Sequence, residues 1–343
     1  VPSTTAARAW LARPDGSVVV GYGPFAAADR PPDEAVAFYV QDFALRDPEP
    51  WKLPARAEIM DAASFRALHA DQAAPDCRWT APDAAPFSSV FQEIMAGIQG
   101  GLFEKTVPVV VEAGVADRMP AAGLSAACSR QPAPLMSYGF AGARAGFAGA
   151  TPELLVSHCQ RRLRTMALAG TARQNDREVF AVDEKEIREH EFVAQTLVAK
   201  LTDLGSLRRH PRTILDLGSI VHFLTLIDVD LTATLCSDAL VRLLHPTPAL
   251  GPLPRTAQTL AMLFDWRGRL GCPPEFGAPF GVSCGGCFDA VVAIRGIWWR
   301  DRRLSLPAGC GIIEASRLVN EWRELRLKRE SVKGFLDYCR DRQ

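Results

Sequence analysis

Phe147-Ala-Gly-Ala-Thr-Pro-Glu-Leu-Leu155 sets a carboxylate, Glu153, at the head of an apolar run, and residues 153–157 read as a strand. Upstream, the β-branched residues of 107–112 predict a buried strand, and shorter strands are expected at 17–21, 35–39 and 138–140. A connection over 81–86 should lead into an amphipathic helix over 87–99. Downstream, 162–166 is a further strand and 183–204 a long helix, capped by Asp183 with Glu186 and lined by Ile187, Val193, Leu197 and Leu201. Strand-like runs at 291–297 and 304–306 and a closing helix over 318–340 complete the pattern. These elements mix irregularly instead of alternating as βαβ units, which argues against a doubly wound nucleotide-binding sheet. A phosphate-cradling GxxxxGK[ST] loop is also absent from the sequence.

The 343 residues are 48% hydrophobic and 23% charged, enough to bury a sizeable core without cross-links. Acidic and basic residues balance at 39 each, so no net field draws in nucleic acid or a membrane surface, and neither is expected as a partner. Nine cysteines, an odd number without a framework, are expected to be reduced thiols. Cys284-Gly-Gly-Cys287 lies between two strand-like runs and reads as a hairpin tip rather than a metal or redox site. The first residues carry no apolar signal-like run, and no apolar stretch approaches the ~20 residues that span a bilayer. A cytoplasmic protein is the expectation.

Some charges fall where a bland surface would not put them. Glu189 extends, at i, i+4 spacing, the row of Val193, Leu197 and Leu201. A carboxylate there is either at a solvated helix end or held by a partner such as a metal. In the last helix Glu321, Glu324 and Lys328 share one edge at i, i+3 and i+7. Periodicity alone leaves two readings: a surface ion-pair ladder, or a site for a hard cation and an anionic ligand.

The order of several segments narrows the choice. After Phe147–Leu155 come Ala167-Leu-Ala-Gly-Thr171, Glu189-His-Glu191, His245-Pro-Thr-Pro-Ala249, Ala293-Ile-Arg295, Ala308-Gly-Cys-Gly-Ile312, and Glu321-Trp-Arg-Glu324 with Lys328. From about residue 88 onward this succession resembles the chorismate-utilising enzymes, which include isochorismate, salicylate, anthranilate and aminodeoxychorismate synthases. The resemblance implies an α+β fold: a single large domain of two packed, mostly antiparallel sheets with helices outside. It would cover 1–343, with 1–86 a variable part and 87–343 the catalytic core. Within the family the chain looks most like an isochorismate synthase. Lys105 stands where water-using members carry a lysine and anthranilate synthases a glutamine. The nucleophilic lysine of aminodeoxychorismate synthases (P-I-K-G-T) is missing from Ala167–Thr171. The chain departs from the pattern at Val110, where an arginine is usual, and at Met166, where some synthases are polar.

That resemblance implies a chemistry. Water adds at C2 of chorismate and the C4 hydroxyl leaves, so a base and an acid must flank the ring. By resemblance Lys105 is the base and Glu153 the acid, whose pKa should be raised. Glu189 and Glu324, with Glu321 beside them, are implied ligands of Mg²⁺. Arg295 is placed against the enolpyruvyl carboxylate, and Lys328 with the backbone around Gly309 against the ring carboxylate. Thr171 is expected to line the pocket; His245 and His222 are each either pocket-lining as well or satisfied core histidines. No obligatory glutaminase subunit is implied, only a monomer or homodimer acting on a small molecule whose product feeds menaquinone or siderophore synthesis.

Overall fold

The computed structural model describes residues 7–32 and 34–337. Pro108 has no N–H to give to a ladder, so the strand expected from 107 starts instead at Val109 and runs Val109–Ala116. Lys105–Thr106, just before it, peels off to pair with Ile312–Ile313 in a separate two-stranded piece. That separation keeps Lys105 off the main sheet and turns it toward the interior.

Every strand pairing among the described residues is antiparallel. From one edge the order is Cys77–Thr80, Val109–Ala116, Arg303–Gly309, Gly296–Arg300, Ala145–Thr151, Met136–Ala141, Arg8–Ala12, Ser17–Ala28, Trp51–Asp61 and Ala37–Val40. It continues through Pro279–Cys284, Cys287–Val292, Leu154–Cys159, Arg162–Arg173 and Ile220–Leu231, with Gly205–Arg209 and Thr213–Asp216 on the far side. The two expected sheets are thus joined by hydrogen bonds through Ala37–Val40 into one 17-stranded network. Its halves fold over each other. Phe280 of the second half lies 5.8 Å from Tyr138 and 5.6 Å from Phe147 of the first, ring to ring.

Helices cover the outer faces. Glu184–Leu201 presses Val193, Ala194, Leu197 and Leu201 onto Leu163, Ala167, Ile227 and Val229. Each of the valine, leucine and isoleucine side chains contributes roughly 1.5–3 kcal/mol by leaving water. Asp183 caps this helix by accepting from the Glu186 N–H. The helix over 87–99 starts earlier, as Ala84–Gln99, because Asp83 caps it. Leu318–Asp337 lays Val332, Phe335 and Leu336 over Leu304 and Leu306; the last residues of the expected helix lie outside the described residues.

Two expectations are corrected. The run 291–297 is two strands, Cys287–Val292 and Gly296–Arg300, because Arg295 between them takes a left-handed backbone, φ 56°. Gly296 follows of necessity: a Cβ there would lie 2.7 Å from the Ala148 carbonyl oxygen. The cysteines are not all thiols: Cys159 and Cys287, directly opposite each other on neighbouring strands, form a disulfide. Odd spacing hid a pair that only strand register brings together. The hairpin reading of Cys284–Cys287 holds, with Gly285 and Gly286 at φ 59° and 75°. Among the described residues no helix is long and apolar enough to cross a membrane.

Candidate active site

A cavity opens where the Glu184–Leu201 and Leu318–Asp337 helices meet the ends of interior strands of the folded sheet. Glu153, Thr171, Glu189, Arg295, Gly309 and Lys328 all line it, so six of the residues singled out in the sequence converge on one space. They come from six separate stretches of chain, each set by a strand, a connection between strands or a helix.

Glu153 sits in the break between Ala145–Thr151 and Leu154–Cys159, beside a register shift in the ladder. Its carboxylate accepts one hydrogen bond, from Thr247 Oγ1 at 3.2 Å. Burial is the largest influence on it, and pushes its pKa up to about 7 against the pull of the Thr247 hydrogen bond and of Lys105, Lys328 and Arg295. It is a carboxyl group able to hold a proton near neutrality.

Lys105 is wholly buried. Its Nζ donates to the Pro248 carbonyl at 2.9 Å and lies 3.1 Å from Glu189 Oε1. Burial opposes the Glu189 charge, but Lys105, Lys185 and Lys328 outweigh it and hold that pKa below the ordinary carboxylate value. Glu189 is therefore held by partners and is not at a solvated helix end. Gly311 packs against this pair so closely that a Cβ would lie 2.1 Å from Glu189 Oε1 and 2.8 Å from Lys105 Cε.

Arg295 is buried, and burial lowers its pKa to about 10. Its Nη2 donates to His222 Nε2 at 2.8 Å; His222 Nδ1 in turn donates to the Gly170 carbonyl at 2.7 Å, which fixes a neutral tautomer. Burial first, then the Arg295 charge, hold the His222 pKa well below its usual value. Arg295 Nη1 has no hydrogen-bond partner among the described residues. A buried guanidinium with an unused N–H beside a cavity suits a carboxylate ligand. Lys328 bonds the Gly309 carbonyl at 2.9 Å and pairs with Glu324 at 2.5 Å.

Lys105, Glu324 and Glu321 are outside that lining, paired with Glu189, Lys328 and Lys185 respectively, and His245 is set apart from it altogether. Its Nε2 bonds the Phe43 carbonyl at 2.7 Å and its ring meets Phe43 edge-on, away from the cavity wall. Burial lowers its pKa to about 3, so it is a neutral core histidine and not a pocket residue. The motif it begins contributes Thr247, Pro248 and Ala249 instead.

Two residues were missed as site members. Glu186, assigned only to the helix cap, turns its side chain inward: Oε2 accepts from the Thr171 N–H at 2.8 Å. Lys185 Nζ lies 3.1 Å from both Glu186 Oε1 and Glu321 Oε1. The i, i+3 spacing of Glu186 and Glu189 was the available signal. Burial and then the neighbouring charge, Glu189 for one and Glu324 for the other, raise the pKa values of Glu186 and Glu321. Among the described residues no three side chains form a ready-made metal cage. Yet Glu321 Oε2 is buried with no hydrogen-bond partner among the described residues, and the carboxylates repel one another. Such hard oxygen donors fit Mg²⁺, which takes one or two protein carboxylates and fills its shell with water and ligand oxygens.

The family described as chorismate binding enzyme matches residues 55–337. The isochorismate synthase EntC of Escherichia coli (strain K12) is 32% identical over 193 residues, 52% of this chain and 48% of that protein. The salicylate biosynthesis isochorismate synthase of Pseudomonas aeruginosa is 31% identical over 207 residues, 55% of this chain and 42% of that protein. The chain thus spans about half the length of these curated relatives in the matched region. Among solved structures, a putative 2,3-dihydroxybenzoate-specific isochorismate synthase, DhbC, from Bacillus anthracis superposes with a TM-score of 0.83 at 17% identity, covering 98% of this chain and 97% of that one. Anthranilate synthase component I of Streptococcus pneumoniae gives 0.67 at 14%, covering 90% and 82%. At such identities these structures establish the fold, the single-domain α+β architecture expected from the sequence.

Proposed function

Because the chain belongs to the chorismate binding enzyme family, we propose that it isomerises chorismate to isochorismate in the cavity described above. The observation that carries this reading is Glu153: a buried carboxyl with a pKa of about 7, facing the cavity that Lys105 borders through Glu189 and Gly311. In the reaction a water oxygen bonds to C2, the ring double bonds move, and the C4–O bond breaks. In its neutral form Lys105, aimed by the Pro248 carbonyl, takes the proton from water. Glu153 gives a proton to the departing hydroxyl. Arg295 binds the enolpyruvyl carboxylate through its unused Nη1, and Lys328 attracts the ring carboxylate. Mg²⁺ held by Glu189 and Glu324, with Glu321 beside them, would neutralise the ring carboxylate and make the ring a better electrophile. Ala169 lines the cavity where aminodeoxychorismate synthases carry their lysine, which leaves water as the nucleophile.

The test is product analysis. Purified protein with chorismate and MgCl₂ should accumulate isochorismate on chromatography, without dependence on ammonia. Salicylate with pyruvate would mean that elimination follows in the same pocket. An ammonia-dependent product would move the chain to the aminating members, and binding without turnover would make it a chorismate-binding protein only.

A further inference from the structure

Lys185 has no part in the proton transfers or substrate contacts proposed above, yet it ties together the two helices that bear the carboxylates. It is the second residue of Glu184–Leu201, and its Nζ reaches Glu321 on Leu318–Asp337 at 3.1 Å while staying 3.1 Å from Glu186. Glu321 is fully buried, with its other oxygen unpartnered among the described residues. An ammonium between two carboxylates from separate helices supplies, in part, the positive charge a divalent cation would bring. Its side chain is 24% exposed, unlike the wholly buried Lys105, so a path to solvent is open to it.

We propose that Lys185 is a tethered counter-ion that competes with the divalent cation for Glu321. Without metal it holds the two helices together and offsets the crowding of Glu186, Glu189, Glu321 and Glu324. When metal enters, the ammonium gives up Glu321 and swings outward on its flexible stem. The cation's affinity is then set by an exchange of charges and not by filling an empty cage. This inference rests on the Mg²⁺ reading given above.

Calorimetric titration of the full chain with MgCl₂, without chorismate, tests it. Lys185→Gln removes the competitor and should bind Mg²⁺ roughly tenfold tighter or more, the scale expected for deleting one positive charge at close range. Lys185→Arg keeps the charge and should stay near wild type. The metal-free Lys185→Gln protein should melt lower than wild type and gain more in Tm on adding MgCl₂. A second measurement uses the wild-type chain: N-hydroxysuccinimide acetate should label Lys185 faster once MgCl₂ is present, read by mass spectrometry. Equal or weaker binding by Lys185→Gln overturns the competition, as does metal-protected or unchanged labelling of Lys185. If wild type and variant both show no heat of binding and no shift in Tm, the Mg²⁺ reading itself falls, and the competition with it.

Discussion

Glu153 is a carboxyl group that folding has made hard to ionise, and two opposite effects follow. Its folded pKa, about 7, lies above the ordinary value of 4.5. Its contribution to stability is therefore complete below the unfolded pKa and is lost as pH rises from there through about 7. As an acid it is competent below about 7, so turnover should fall as pH rises through that value. Glu153→Gln should lower kcat by about two to four orders of magnitude. The same change should raise stability at pH 8 by roughly 2–3 kcal/mol relative to wild type, and much less at pH 4. Denaturant melts at the two pH values check this; equal differences at both would remove the buried charge from the account. Arg295→Ala leaves a ligand carboxylate without its charged partner and should weaken chorismate binding by about 2–5 kcal/mol. An unchanged KM and kcat would take Arg295 out of the pocket.

Among the elements, Leu318–Asp337 carries Glu321, Glu324 and Lys328 and has to be docked accurately for Lys328 to line the cavity with Glu324 paired to it. Glu112, on Val109–Ala116, anchors it with Arg329 at 3.1 Å and Lys333 at 2.7 Å. Breaking a buried pair strands the remaining charge, so Glu112→Gln should cost about 3 kcal/mol. A thermal melt within 1 °C or so of wild type would contradict the anchor, since that loss should shift Tm by several degrees. Between Arg303–Gly309 and Ile312–Ile313, Gly311 lets backbone approach the Lys105–Glu189 pair. Gly311→Ala should therefore reduce kcat while leaving the fold, read by circular dichroism, intact. Wild-type turnover would mean that the pair tolerates displacement.

For the molecule as a whole, the ladder through Ala37–Val40 and the aromatic contacts of Phe280 join both halves of the sheet. We expect residues 1–343 to unfold as one domain, with fluorescence and chorismate turnover lost in a single coincident transition. Phe280→Ala should lower stability by about 3–5 kcal/mol without splitting that transition. Two separated transitions would show that the halves fold independently.

The sequence by itself determined the local elements and the chemistry of single positions. Asp183 and Val193–Leu197–Leu201 specified a helix because capping and a 3.6-residue period act within a few residues. The ordered motifs carried Glu153, Glu189, Arg295 and Lys328 to one cavity before any contact was known. Tertiary structure decided what depends on neighbours distant in the chain. His245 became a core residue because Phe43, 202 positions away, takes its ring nitrogen. Glu186 and Lys185 became site residues because another helix brings Glu321 to them. Cys159 and Cys287 paired across 128 positions because strand register sets them opposite each other. Hydrogen bonds and ion pairs act over a few ångströms of space, and in each of these cases that proximity is made by the packing of the sheet and its helices, not by spacing along the chain.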